Sequence, residues 1–118
     1  MSFVAGLILL NIKTELESFI CFANLMQRNL LFDFYSFNME RVNIIFHVFM
    51  NLLKSQLPKL HKLFMQAKLS CSIFLFEWVV TIFANIFPLS YSAKLWDNYL
   101  FYGDHYLIKV AVAICACL

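Results

Sequence analysis

The sequence predicts an all-α fold, about six helices joined by short connections. Three features carry that reading. No period-2 alternation of apolar and polar residues lasts five residues with turn residues on both sides, so strand signals are absent. Apolar positions recur instead at helical spacing, most clearly from Met39 to the Pro58 break and over residues 89–102. Pro88, Gly103 and Asp104 then punctuate the chain where one helix must stop and the next begin.

Taken in order, residues 1–10 are almost wholly apolar and could pass for a signal-peptide core, but the expected basic n-region and small-x-small cleavage site are missing from the pattern. Thr14 can cap a following helix, with Glu15 and Glu17 favourably placed in its first turn. Residues 29–38 are mixed and aromatic, with Asp33 and Ser36 as turn formers, and read as a packed connection. From Met39 a long helix follows. Glu40, Asn43, His47, Asn51 and Lys54 mark its wet side; Val42, Ile45, Phe46, Phe49, Leu52 and Leu53 face inward. Pro58 ends or kinks it, and residues 60–69 make a shorter helix before the Ser70-Cys71-Ser72 break.

Residues 73–87 read as one nearly all-apolar helix whose polar exceptions, Glu77, Thr81 and Asn85, recur every fourth position and stack on one narrow face. A helix wrapped that completely belongs inside something. After Pro88, residues 89–102 place Ser90, Lys94, Asp97 and Asn98 on one side and Tyr91, Leu95, Trp96, Tyr99 and Leu100 on the other. Gly103 supplies a left-handed stop, and Asp104 is the expected N-cap of a last apolar helix over residues 106–117.

Composition narrows the function. The 118 residues allow at most one domain. They are 63% hydrophobic and 14% charged, against about 25% charged in an average chain. That is more apolar surface than so short a chain can hide, so it lies in a membrane or belongs to a larger core. A span needs about 20 mostly apolar residues, and the longest run without Asp, Glu, Lys or Arg, residues 78–93, is interrupted by Pro88. The net charge of +2 points to no nucleic-acid partner. Lys54, Lys59, His61, Lys62 and Lys68 read as a solvated rim, since no aromatic platform interleaves with them.

Cys21, Cys71, Cys115 and Cys117 lack C-x-x-C spacing and read as reduced, packed thiols; Cys115 and Cys117 point about 200° apart on a helix. The final Cys115-Ala116-Cys117-Leu118 formally fits a prenylation box, but no polybasic stretch precedes it and it continues a helix pattern. His47, His61 and His105 have no histidine at i+3 or i+4, so each reads as a surface side chain and not a metal ligand. Glu77 and Asp97 are not a catalytic pair; Asp97 is expected to make a hydrogen bond or ion pair within the helix packing. No catalytic residue, metal site or cofactor is predicted.

One ordered set of residues carries a resemblance. Trp78, Phe83 and Pro88, then Lys94-Leu95-Trp96-Asp97, then Gly103, Leu107 and Lys109-Val110-Ala111-Val112-Ala113-Ile114 resemble the C-terminal signature of TBC domains, the catalytic domains of Rab GTPase-activating proteins. That family shows Trp, Phe and Pro, an Arg-(Ile/Leu)-Trp-Asp quartet, a Gly and a Leu-x-(Arg/Lys)-Val-Ala-Leu-Ala run at matching spacing; Lys94 stands where arginine is usual. At the other end, Met1-Ser2-Phe3-Val4-Ala5 is similar to the close of the family's Tyr-x-Gln-Gly-Met-Ser-Phe-(Val/Ile)-Ala motif, and residues 14–19 resemble the acidic entry to its next helix.

The resemblance implies a cytoplasmic, endomembrane-associated regulator of vesicle traffic whose partner is a Rab-type small GTPase, with peripheral membrane association through such partners and no nucleic acid. An activator of this kind inserts an arginine that neutralises charge on the transferring phosphate, worth about 10³–10⁵ in rate. The family adds a glutamine that positions water. It carries them in Ile-x-x-Asp-x-x-Arg and Tyr-x-Gln-Gly, and Arg28, Arg41, Gln27, Gln56 and Gln66 match neither motif. The expectation is therefore a partial TBC domain over residues 1–118, beginning just after Tyr-x-Gln-Gly and ending in an uncapped apolar run. It would be catalytically incompetent, with apolar surface meant for an absent half. A non-catalytic Rab- or partner-binding module and a small integral membrane protein are the alternatives.

Overall fold

The computed structural model describes residues 2–117. Met1, the first residue of the Met-Ser-Phe-Val-Ala resemblance, and Leu118 of the prenylation box lie outside the described residues. Among the described residues eight helices form: α1 (Ser2–Asn11), α2 (Glu15–Met26), α3 (Asn29–Tyr35), α4 (Met39–Gln56), α5 (Pro58–Gln66), α6 (Ser72–Val80), α7 (Leu89–Tyr102) and α8 (His105–Ala116). They exceed the expected six because residues 29–35, expected to be a connection, are helical and residues 2–11 form a helix of their own ahead of the one expected after Thr14.

Consecutive helices pack as hairpins, α1 on α2, α4 on α5 and α7 on α8, while α3 and α8 bridge them by meeting α4 and α6. At the centre Phe34, Phe49, Leu53, Leu75, Val79, Leu107 and Ala111 are fully buried. The wet and dry sides of α4 fall as its periodicity predicts: Val42, Phe49 and Leu53 are buried, and Glu40, Asn43, His47, Asn51 and Lys54 are exposed. Thr14 caps α2, its hydroxyl accepting the Glu17 N–H at 3.2 Å.

Residues 29–38 depart from expectation. Residues 29–35 form α3, which buries Leu30, Leu31 and Phe34, three positions on one helical face, and only residues 36–38 remain a connection. The hydroxyl of Tyr35 donates to the carbonyl of Val80, tying α3 to the end of α6.

The second departure is α6, which stops at Val80 where a helix to residue 87 was expected. Ile82 and Phe83 take the left-handed conformation, at φ 49° and 61°. The Phe83 N–H returns to the Trp78 carbonyl at 2.8 Å, closing the helix with a six-residue loop. The bend turns both Ile82 and Phe83 fully inward, and Pro88 disfavours a helical residue before it. The expected polar stripe survives in another form: the Thr81 hydroxyl lies 2.8 Å from both the Glu77 carbonyl and Asn85 Oδ1, and Asn85 Nδ2 donates to Glu77 Oε1 at 2.9 Å.

The same closure ends α3 and α5. Phe37 (φ 55°) and Lys68 (φ 54°) are left-handed, and the following N–H groups, of Asn38 and Leu69, each reach back to Asp33 and Phe64 at 3.0 Å. Glycine normally fills that position, since a side chain there costs about 1–2 kcal/mol. With two glycines in the chain, only α7 ends on one, Gly103 at φ 92°.

The molecule is elongated, 49 × 29 × 22 Å with a radius of gyration of 15.0 Å, against about 13.5 Å for a compact chain of this length. Its accessible surface, 7653 Å², exceeds by roughly 1,000 Å² what a folded monomer of this mass exposes. That excess is close to one partner's share of a standard protein interface.

Candidate functional site

The inner seam of α7 is where distant parts of the chain converge. Ser92, Leu95, Trp96 and Tyr99 are its buried residues, spaced three and four apart so that they share one face. Tyr91 and Leu100, expected on that face, flank it and are exposed.

Trp96 makes the first clasp. Its indole N–H donates to the Ile82 carbonyl at 2.9 Å, inside the left-handed bend after α6. Beside that bend the Phe83 ring lies 5.9 Å from Trp78, and Trp78 lies 4.7 Å from Phe74. Trp78, Phe83 and Trp96 are thus brought together around one turn of backbone, the tryptophan satisfying a carbonyl that the broken helix leaves without its usual partner.

Tyr99 makes the second. Fully buried, it donates its hydroxyl to Asp104 Oδ1 at 2.9 Å. The other carboxylate oxygen accepts the N–H of Leu30, in the first turn of α3, at 3.2 Å. Arg28 closes the arrangement: its guanidinium sits 5.0 Å above the Tyr99 ring and donates to the Leu100 carbonyl at 3.2 Å. Burial, and next the Asp104 carboxylate, push the Tyr99 phenol well above its ordinary range. Gly103 makes the turn possible through its backbone alone, since a Cβ there would meet nothing closer than the His105 imidazole at 3.9 Å.

Asp104 corrects the sequence reading. It makes no side-chain cap to its own helix α8 and itself has helical dihedrals, φ −63° and ψ −35°. An N-cap needs extended dihedrals to fold its oxygen back onto the next amides. Its carboxylate turns instead to α3, whose own N-cap residue, Arg28, makes no side-chain cap. Asp97 is also corrected: it is exposed on the outer side of α7 and so lies outside the helix packing expected to hold it. Lys94 is likewise exposed, and Pro88 is an exposed N-cap position of α7.

Reactive groups are dispersed. Arg28 is committed to Tyr99 and Leu100, while Arg41 is exposed on α4. Gln27, Gln56 and Gln66 are exposed. Among the described residues no three His, Cys, Asp or Glu side chains gather as a metal site, and all four cysteines are free. Burial pushes the Cys71 thiol up to about 11 and raises Cys115, which disfavours the nucleophilic thiolate. No helix among the described residues is long and apolar enough to cross a membrane.

What the surface offers instead is apolar relief. A groove of about 420 Å³ runs between α4 and α8, lined by Leu52, Leu57, Val112 and Ala113 with Gln56 and Lys109 at its polar points. On α1 and α2, Leu10 is 72% exposed, Leu16 70% and Phe19 68%.

The chain is thus an all-helical unit with a tryptophan–carbonyl seam on α7 and a Leu-x-Lys-Val-Ala run on α8. The chain belongs to the Rab-GTPase-TBC domain family, whose model matches residues 1–118. It is similar to TBC1 domain family member 14 of Rattus norvegicus, 29% identical over 114 residues that cover 97% of this chain and 16% of that protein. TBC1 domain family member 12 of Xenopus tropicalis matches equally, at 29% over 114 residues, 97% of this chain and 16% of its own. Carabin of Mus musculus is 30% identical over 111 residues, 94% of this chain and 24% of that protein. The chain therefore spans between a sixth and a quarter of the length of these relatives. No solved structure matches.

Trp78, Phe83, Trp96 and Gly103, singled out in the sequence as signature residues, lie at or beside this seam, whereas the contacts of Arg28, Tyr99 and Asp104 were not anticipated. The Arg28–Leu100 and Leu30–Asp104 bonds join positions 72 and 74 residues apart, and no local spacing encodes such pairings, although the Tyr99–Asp104 bond spans only five residues.

Proposed function

We propose that residues 1–118 are the C-terminal helical portion of a Rab GTPase-activating domain, acting on GTP-loaded Rab-type GTPases at cytoplasmic faces of endomembranes, and that this chain alone does not accelerate hydrolysis. The observation that carries the second half is the state of the two arginines. A finger must reach the nucleotide in a fixed pose. Arg28 is held against Tyr99 and the Leu100 carbonyl, and Arg41 projects from an exposed face of α4. Neither Ile-x-x-Asp-x-x-Arg nor Tyr-x-Gln-Gly occurs in these 118 residues. The family match over the whole chain supports the first half.

A second reading, a binding module without catalysis, is favoured by the roughly 1,000 Å² of surface beyond that of a compact monomer. Phosphate release from a panel of GTP-loaded Rab proteins, measured with and without the chain, tests both. The expected result is the intrinsic rate throughout. Acceleration approaching the 10³–10⁵-fold of a working arginine finger overturns the proposal, and saturable binding without acceleration supports the second reading.

A further inference from the structure

The charges of this chain are segregated. Five of its nine Lys and Arg and none of its seven Asp and Glu lie within residues 41–76. In the fold these residues are α4, α5 and the start of α6. Helix α5 carries no buried residue. Leu60, His61 and Phe64 form its half-buried side, and Lys59, Lys62 and Gln66 form the outward ridge, positions i, i+3 and i+7 on one face. Lys54 precedes this ridge at the end of α4 and Lys68 follows it, both exposed. The neighbouring α8 adds Lys109, which shares a groove with Gln56 and Leu57, and it holds no carboxylate.

Apolar side chains stand between and beside these lysines. Leu63 and Met65 flank the ridge, and Leu69 and Ile73 follow it, all exposed. The aromatic ring of the segment, Phe64, is turned inward against Phe74 at 6.0 Å and offers no stacking face.

We infer that the α5 edge docks on an anionic phospholipid bilayer, with Lys54, Lys59, Lys62 and Lys68 at the headgroups and Leu63, Met65 and Leu69 entering the interface. Charge complementarity selects a polyanion. The choice between polyanions follows from the apolar flanks: exposed Leu and Met gain by entering an acyl boundary, whereas a single-stranded nucleic acid rewards aromatic platforms that this edge lacks. The inference goes beyond the GTPase-activator reading and does not depend on it.

Co-sedimentation of the full chain with phosphatidylcholine vesicles, with and without phosphatidylserine, is the test. Binding should require phosphatidylserine and weaken as salt rises. K59Q/K62Q should lose about fivefold per lysine removed, and L63S roughly tenfold, with helicity unchanged by circular dichroism. K13Q/K94Q, two exposed lysines outside the edge, should bind as the parent does. Equal binding to both vesicle types, equal loss in K13Q/K94Q, indifference to K59Q/K62Q, or preferential retention on single-stranded RNA would each overturn it. Unchanged phosphate release in the Rab assay leaves the lipid result intact, so the two proposals fail separately.

Discussion

Replacing Asp104 with serine separates two accounts of one residue. Were Asp104 only the N-cap of α8, serine would serve nearly as well, since Asn, Asp and Ser rank together at that position. In the structure its carboxylate holds the Leu30 N–H at 3.2 Å and the Tyr99 hydroxyl at 2.9 Å. A serine hydroxyl, one atom shorter and with a single oxygen, cannot span both. A hydrogen bond to a charged group is worth about 1.5–3 kcal/mol, and a buried hydroxyl left unpaired costs a similar amount. The bond to the Leu30 N–H is only part-buried, so water can replace some of its loss, and D104S should cost about 2–4 kcal/mol. Against a total stability of roughly 5–15 kcal/mol for a domain, that is a large share. Urea unfolding followed by circular dichroism measures it, together with Y99F and the double variant. In the Y99F background the cost of D104S should fall by about 1–2 kcal/mol, because the shared bond is already gone. A D104S cost within about 0.5 kcal/mol of zero, or additive single and double variants, refutes the clasp.

Two further outcomes follow from the same packing. W96F keeps an aromatic ring but removes the indole N–H, leaving the Ile82 carbonyl, bonded at 2.9 Å in the parent, without its donor; the expected cost is about 1–3 kcal/mol by urea unfolding. Alkali should destabilise the fold through the buried thiol and phenol. Burial raises Cys71 from 9.0 to about 11, so the unfolded chain sheds that proton first. The stabilising contribution is full below pH 9 and is lost as pH rises to about 11. Tyr99, raised by burial and by Asp104, extends the loss to higher pH. C71A should flatten the stability profile across the Cys71 window, read as urea midpoints at stepped pH.

Much of the fold was legible because it is written in local periodicity. Val42, Phe49 and Leu53 against Glu40, Asn43 and Lys54 is a pattern that needs only the helical repeat to decode. The errors share a cause. Residues 73–87 carry an unbroken helical pattern, with polar residues at every fourth position from Glu77, yet α6 ends at Val80 because Ile82 and Phe83 leave the helical region. A β-branched residue is a poor choice for the left-handed conformation, so nothing in the letters at 82 and 83 announces a stop. What compensates comes from elsewhere: both side chains are fully buried by the bend, and Trp96, 14 residues on, takes up the Ile82 carbonyl.

Read this way, the spacing between the Phe of the resemblance and its Trp-Asp pair has a physical meaning. The tryptophan must stand where a strained, glycine-free turn presents its carbonyl, and Pro88 must restart the chain in time for α7 to place it there. The Asp beside it, Asp97, faces outward, so the seam gives no structural reason for an aspartate at that position. Trp96 and Asp97 are neighbours in sequence with different surroundings, the indole held by the Ile82 carbonyl and the carboxylate exposed on the outer side of α7. A substitution such as D97N should therefore leave urea stability within about 0.5 kcal/mol of the parent, as for a surface position away from special features.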